Sequence, residues 1–126
     1  MKETSFHCAA EYGQTELLQK VWEWSTEKLS AEEIKELLLA KNSRKETVFY
    51  CAADFGKTEV LQKVWEWSTE KLSAEEIKEL LLAKNDMKES AFHCAARRGK
   101  TEVLQKLWEW STEKLSAEEI KELFFS

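Results

Sequence analysis

Between Thr15 and Trp24 the apolar residues fall at Leu17, Leu18, Val21, Trp22 and Trp24. On a helix that turns about 100° per residue, Leu17, Val21 and Trp24 form one ridge and Leu18 and Trp22 another. The two indoles then stand on opposite rims of a wide apolar arc and contact different neighbours, as a helix held between two others requires. A later segment has its own period. Ala31, Ile34, Leu37 and Leu38 share one face, while Glu32, Lys35 and Glu36 look outward. Ser30 with Glu33 three residues on is a capping box, Leu29 is placed to staple onto Ile34, and Lys41-Asn42 closes the helix. Upstream, Thr4 reads as the N-cap of a short first helix, with Gly13 as its left-handed C-cap. The pattern predicts three short helices in the first third of the chain.

The same pattern is written three times. Val21 to Asn42 recurs unchanged at Val64 to Asn85, and most of it returns from Trp108 to Leu123. Cys8, Cys51 and Cys94 recur in step, as do Gly13, Gly56 and Gly99. The repeats are residues 1–43, 44–86 and 87–126, the last shorter by three, and the whole chain 1–126 reads as a single repeat domain. Repetition at this spacing predicts a stacked solenoid in which each unit touches only its neighbours. A fully buried indole removes roughly 150–250 Å² from water. The six tryptophans are therefore expected to supply much of the core as shared contacts between layers.

Composition narrows the function classes. The chain has 126 residues, 43% of them hydrophobic, enough for one modest core. Nineteen basic against twenty-four acidic residues give a net charge of −5, which argues against a general nucleic-acid binder. No apolar run approaches membrane-spanning length, and the start MKETSFHCAAEYG has no signal core. A cytoplasmic, reducing location is expected, and three cysteines, an odd count, fit it.

TSFHCAAEYGQTELLQKVW, TVFYCAADFGKTEVLQKVW and SAFHCAARRGKTEVLQKLW resemble the ankyrin repeat family, in register and without gaps. The resemblance covers about 19 residues of each copy, with Ala9-Ala10, Gly13, Glu16 and their counterparts aligned. Ser5, Val48 and Ala91 stand where the family has proline, and Lys2, Lys45 and Lys88 where it has a turn glycine. STEKLSAEEIKELLLAKN replaces the usual hairpin end. The resemblance implies an all-α solenoid of three stacked ankyrin-like repeats, about three helices per repeat, with little or no β-hairpin finger.

Candidate chemistry has simpler structural explanations. Adjacent helical residues point about 100° apart, so His7-Cys8 and His93-Cys94 are poorly placed as catalytic pairs, and no CxxC or HxxxH spacing supports a metal. The resemblance puts Cys8, Cys51 and Cys94 at a buried small position and makes the histidines hydrogen-bonding structural residues. Tyr50 takes the histidine's place in the second repeat. An aromatic cage of tryptophans and an acid/base pair among Glu32, Glu33 and Glu36 are each better explained by packing and capping. No enzyme activity and no cofactor or metal is expected.

Differences between the copies mark the candidate binding residues. Before each glycine stand Glu11-Tyr12, Asp54-Phe55 and Arg97-Arg98, and at the inter-repeat turns stand Ser43-Arg44 and Asp86-Met87. The resemblance implies that these line a concave face contacting partners, and aromatic and arginine residues are favoured interface anchors. The leading expectation is a protein-binding scaffold. The alternative is a structural or self-assembling module, a fragment of a longer array or an engineered protein. It would form homo-oligomers through uncapped ends, with Phe124 and Phe125 replacing two leucines.

Overall fold

The computed structural model describes residues 4–12, 15–55 and 57–125. Among these residues the chain is all-α, with three helices in each repeat. The first repeat holds α1 (Ser5–Glu11), α2 (Thr15–Lys28) and α3 (Ala31–Leu39). The second holds α4 (Val48–Asp54), α5 (Thr58–Lys71) and α6 (Ala74–Leu82), and the third α7 (Ala91–Arg97), α8 (Thr101–Lys114) and α9 (Ala117–Phe125). The first helices pack in the series α1, α4, α7, and the third helix of a repeat leans on the second helix of the next. This is the expected solenoid of three stacked, ankyrin-like repeats.

Local hydrogen bonds explain why the helices begin where they do. Thr4, Thr47 and Ser90 accept from the backbone amides of His7, Tyr50 and His93. At the third helices, the Ser30 amide donates to Glu33 at 2.9 Å and the Glu33 amide to Ser30 Oγ at 3.2 Å. Ser73 with Glu76 and Ser116 with Glu119 repeat that box. These carboxylates work as helix caps. Gly99 adopts φ 67° after α7, the left-handed geometry expected of it, while Gly13 and Gly56 lie outside the described residues.

The closure of α3 differs from the sequence expectation. The helix ends at Leu39, with Ala40 as an extended cap, and Lys41-Asn42 already belongs to the turn. Asn42 is buried, and its Oδ1 accepts from the amides of Arg44 at 2.9 Å and Glu46 at 3.0 Å. Asn85 repeats this with Met87 and Glu89. An asparagine side chain that satisfies two turn amides is worth more here than another helical residue. The turns place Lys45 and Lys88 at φ 65°, in the left-handed region that favours glycine. A lone bridge between Lys84 and Ser90 is the only strand pairing among the described residues.

The core lies along the stack and is thickest in the middle repeat, where every residue of α4 is buried. In α5, Val60, Val64 and Trp67 are buried on one side and Leu61 and Trp65 on the other. The first of these ridges faces the preceding repeat and the second the following one, as the wheel predicts. Trp22 stacks on Trp67, and Trp65 on Trp110. Four indoles are thus shared between layers. The other two are not: Trp24 is 59% exposed and Trp108 is 40% exposed. They lie in the first and third repeats, on the outward sides of the described stack.

Candidate functional site

The residues that differ between copies are brought to one side of the stack by the α1, α4, α7 series and its adjoining turns. Glu11-Tyr12, Asp54-Phe55 and Arg97-Arg98 end these three helices in turn. The turns lie beside them: Arg97 Nη2 donates to Glu89 Oε1 at 3.1 Å, and the Asp86 amide to the Arg44 carbonyl at 2.9 Å. Arg44 meets the buried Glu46 at 3.4 Å, and the Cys51 thiol lies between Glu46 and Glu11 at 3.9 and 3.8 Å. Glu11, Arg44 and the end of α4 thus form one neighbourhood, and Asp54, Arg97 and Arg98 the next.

Accessibility divides the expected strip. Tyr12, Ser43, Arg44, Phe55, Asp86, Met87, Arg97 and Arg98 are exposed, and Glu11 is half-buried. Asp54 departs from the expectation. It is buried and accepts from Arg98 Nε at 2.7 Å across the repeat boundary, so its charge is used inside the stack. Phe55 follows directly on the fully buried α4 yet remains 39% exposed.

His7 performs two structural tasks, which give the hydrogen-bonding role implied by the resemblance its partners. The Thr4 amide donates to His7 Nδ1 at 3.1 Å, so Nε2 carries the proton and donates to the carbonyls of Ala40 at 3.1 Å and Glu46 at 3.0 Å. The imidazole completes a capping box in which histidine stands where glutamate is usual. It also ties one repeat to the next turn. Tyr50 keeps the second task, donating to the equivalent carbonyl of Glu89 at 2.8 Å. Its oxygen also lies 2.8 Å from Cys94 Sγ, within hydrogen-bonding distance of the thiol. Burial, then the Cys94 hydrogen bond, pushes the Tyr50 phenol far up, and burial pushes the Cys94 thiol up as well.

The cysteines need a correction. Cys51 and Cys94 are buried, but Cys8 is exposed. This helix position faces the preceding repeat, as the Cys51–Glu11 and Cys94–Tyr50 contacts show, and Cys8 lies in the first described repeat. Among the described residues no three metal-ligating side chains are gathered. No helix among them is long and apolar enough to cross a membrane.

At the C-terminal end, Phe125 is exposed and Phe124 half-exposed. Phe124 stacks on Trp108 at 5.7 Å between ring centroids and packs on Phe92 at 5.2 Å.

No protein-family profile and no curated protein matches the chain. Among solved structures it is similar to a chain in the crystal structure of the yeast ribosomal protein Rps3 in complex with its chaperone Yar1. That likeness has a TM-score of 0.72 and 24% identity, over 84% of this chain and 67% of the other. At that identity it shows the fold alone. Membership of the ankyrin family, expected from the resemblance, is therefore corrected: the repeat architecture stands, and the family assignment does not. The likeness of about 19 residues per copy does not extend to the third helices.

Proposed function

We propose that this chain is a non-enzymatic scaffold that binds another protein through the strip running from Tyr12 past Phe55 to Arg97 and Arg98. The inter-repeat turns with Arg44 and Met87 border it. The observation that carries this reading is Phe55, 39% exposed in the best-covered repeat of the molecule. A phenylalanine that keeps two fifths of its surface in water gains further on being covered by a partner. Tyr12 and Met87 add exposed apolar area, and Arg44, Arg97 and Arg98 supply a polar rim. The fold it resembles occurs in a complex between a ribosomal protein and its chaperone, which supports a protein as the partner class.

The test is the double variant Y12A/F55A, compared with the parent chain in pull-downs from a native lysate and in thermal melts. Proteins held by the parent and lost by the variant, at unchanged Tm, are the expected result. Loss of folding in the variant would assign both rings to the core and remove the site.

A further inference from the structure

The junctions inside the stack are built twice from the same parts, and each end of the chain carries half of a third set. Trp22 and Trp67 stack at 4.6 Å with 8° between planes, and Trp65 and Trp110 at 4.5 Å with 10°. Each pair joins the first tryptophan of one repeat to the second tryptophan of the next. Continuing the series calls for Trp108 and Trp24, the two rings left open at opposite ends. Beside Trp24, Leu17 is also exposed, although its counterparts Val60 and Val103 are buried.

The polar contacts continue in the same register. Thr15 donates to Glu59 and Thr58 to Glu102, each at 3.1 Å, which leaves Thr101 at one end and Glu16 at the other. Lys35 meets Glu76 at 3.5 Å and Lys78 meets Glu119 at 3.8 Å, which leaves Glu33 at one end and, at the other, Lys121, held only by the exposed Glu118 of its own helix at 3.8 Å. All four remaining side chains are exposed. Their donors and cations lie at the C-terminal end, and their carboxylates at the N-terminal end.

We propose that the α1–α3 end of one copy stacks on the α7–α9 end of a second copy, with Trp24 over Trp108, Glu16 receiving Thr101 and Glu33 receiving Lys121. A second copy is the occupant because it carries the apolar ridge, the ring and both carboxylates in the register that two interior junctions already use. The contact is independent of the Tyr12–Phe55 strip. It joins unlike faces, so a dimer still presents one free face of each kind, and assembly proceeds beyond the dimer.

Phe124 guards the α7–α9 end. Inside the stack, Trp110 contacts both Trp65 and Phe49. Phe124 makes the corresponding pair of contacts, with Trp108 and Phe92, and so occupies the seat that an incoming Trp24 needs. Leucine stands at its place in the other two repeats. Docking requires the Phe124 ring to swing aside.

Sedimentation equilibrium from micromolar to millimolar protein tests this. The parent chain is expected to gain mass with concentration, and F124L to do so at roughly tenfold lower concentration, a change of about 1.4 kcal/mol. W24K is expected to remain a single chain with unchanged helicity and Tm, because Trp24 is an exposed ring. Mixing W24K, which keeps its α7–α9 end intact, with W108K, which keeps its α1–α3 end intact, should give dimers that do not grow, from two proteins each monomeric alone. If W108K is unfolded, K121E takes its place in the mixture, where the same outcome is expected. A single-chain mass for both the parent and F124L throughout the range would overturn the proposal, as would assembly of W24K alone or a mixture that stays monomeric.

Discussion

Trp22 and Trp67 lie face to face, ring centroids 4.6 Å apart and planes 8° from parallel, although a repeat boundary separates them. Phe6 flanks both rings at 5.9 Å. The contact joins helices of neighbouring repeats, so the shape of one repeat positions the next. Replacing Trp67 by alanine removes a buried indole and leaves Trp22 and Phe6 facing a cavity, at a cost of about 3–5 kcal/mol. Trp24, at the same place in the first repeat, is mostly in water, and W24A should change stability by no more than about 0.5 kcal/mol. Urea denaturation of the two variants measures the difference between identical substitutions at equivalent positions.

Tyr50 makes stability depend on pH at the alkaline end. An ordinary phenol loses its proton near pH 10.0 and a thiol near 9.0, and the folded chain holds both groups above those values. The unfolded chain therefore releases these protons first. The contribution of these two groups is constant below that range, and stability falls as pH rises through it. Y50H retains a ring donor for the Glu89 carbonyl, as His7 does for Glu46, and should fold with little loss at neutral pH while showing a shallower alkaline decline. Y50F leaves that carbonyl without its donor and should cost about 1–3 kcal/mol at neutral pH. Denaturation midpoints at neutral pH and above pH 10 separate the three proteins.

Lys45 and Lys88 occupy left-handed backbone, φ 65°, without glycine's freedom. That conformation costs an L-residue about 1–2 kcal/mol, and glycine returns part of the gain through the larger entropy of its unfolded chain. K45G and K88G should each stabilise the protein by about 0.5–1 kcal/mol, and the double variant by about the sum. A fall in Tm for both would show that the lysine side chains make contributions larger than the strain.

The two neighbouring arginines of the strip should behave differently. Arg98 meets Asp54 at 2.7 Å, and the Asp54 side chain is only 11% exposed, so R98A leaves a nearly buried carboxylate unpaired. A loss of about 1–3 kcal/mol is expected. Arg97 pairs with Glu89 on the surface, where such contacts are worth about 0–1 kcal/mol, and R97A should be close to neutral. In partner binding the order should reverse, because the exposed Arg97–Glu89 pair exchanges for a partner's groups more readily than the Arg98–Asp54 contact across the repeat boundary.

Much of the architecture can be read from the chain alone. Ser30 with Glu33 announces the start of α3, Thr4 that of α1, and the spacing of Leu17, Leu18, Val21, Trp22 and Trp24 announces a helix with two packing faces. Each of these features rests on hydrogen bonds or side-chain directions within a few residues, and identical copies had to form them identically. The spacing of the copies then required a stack. The tertiary structure decided what each copy's position in that stack does to the same residue. It buries Trp67 and exposes Trp24, buries Cys51 and exposes Cys8, and draws Asp54 inward to Arg98. It also sends the His7 imidazole to a carbonyl of the next turn and seats Phe124 on Trp108. Burial and long-range hydrogen bonding belong to a residue together with its neighbours, and the neighbours of a repeated residue change from the middle of a stack to its ends.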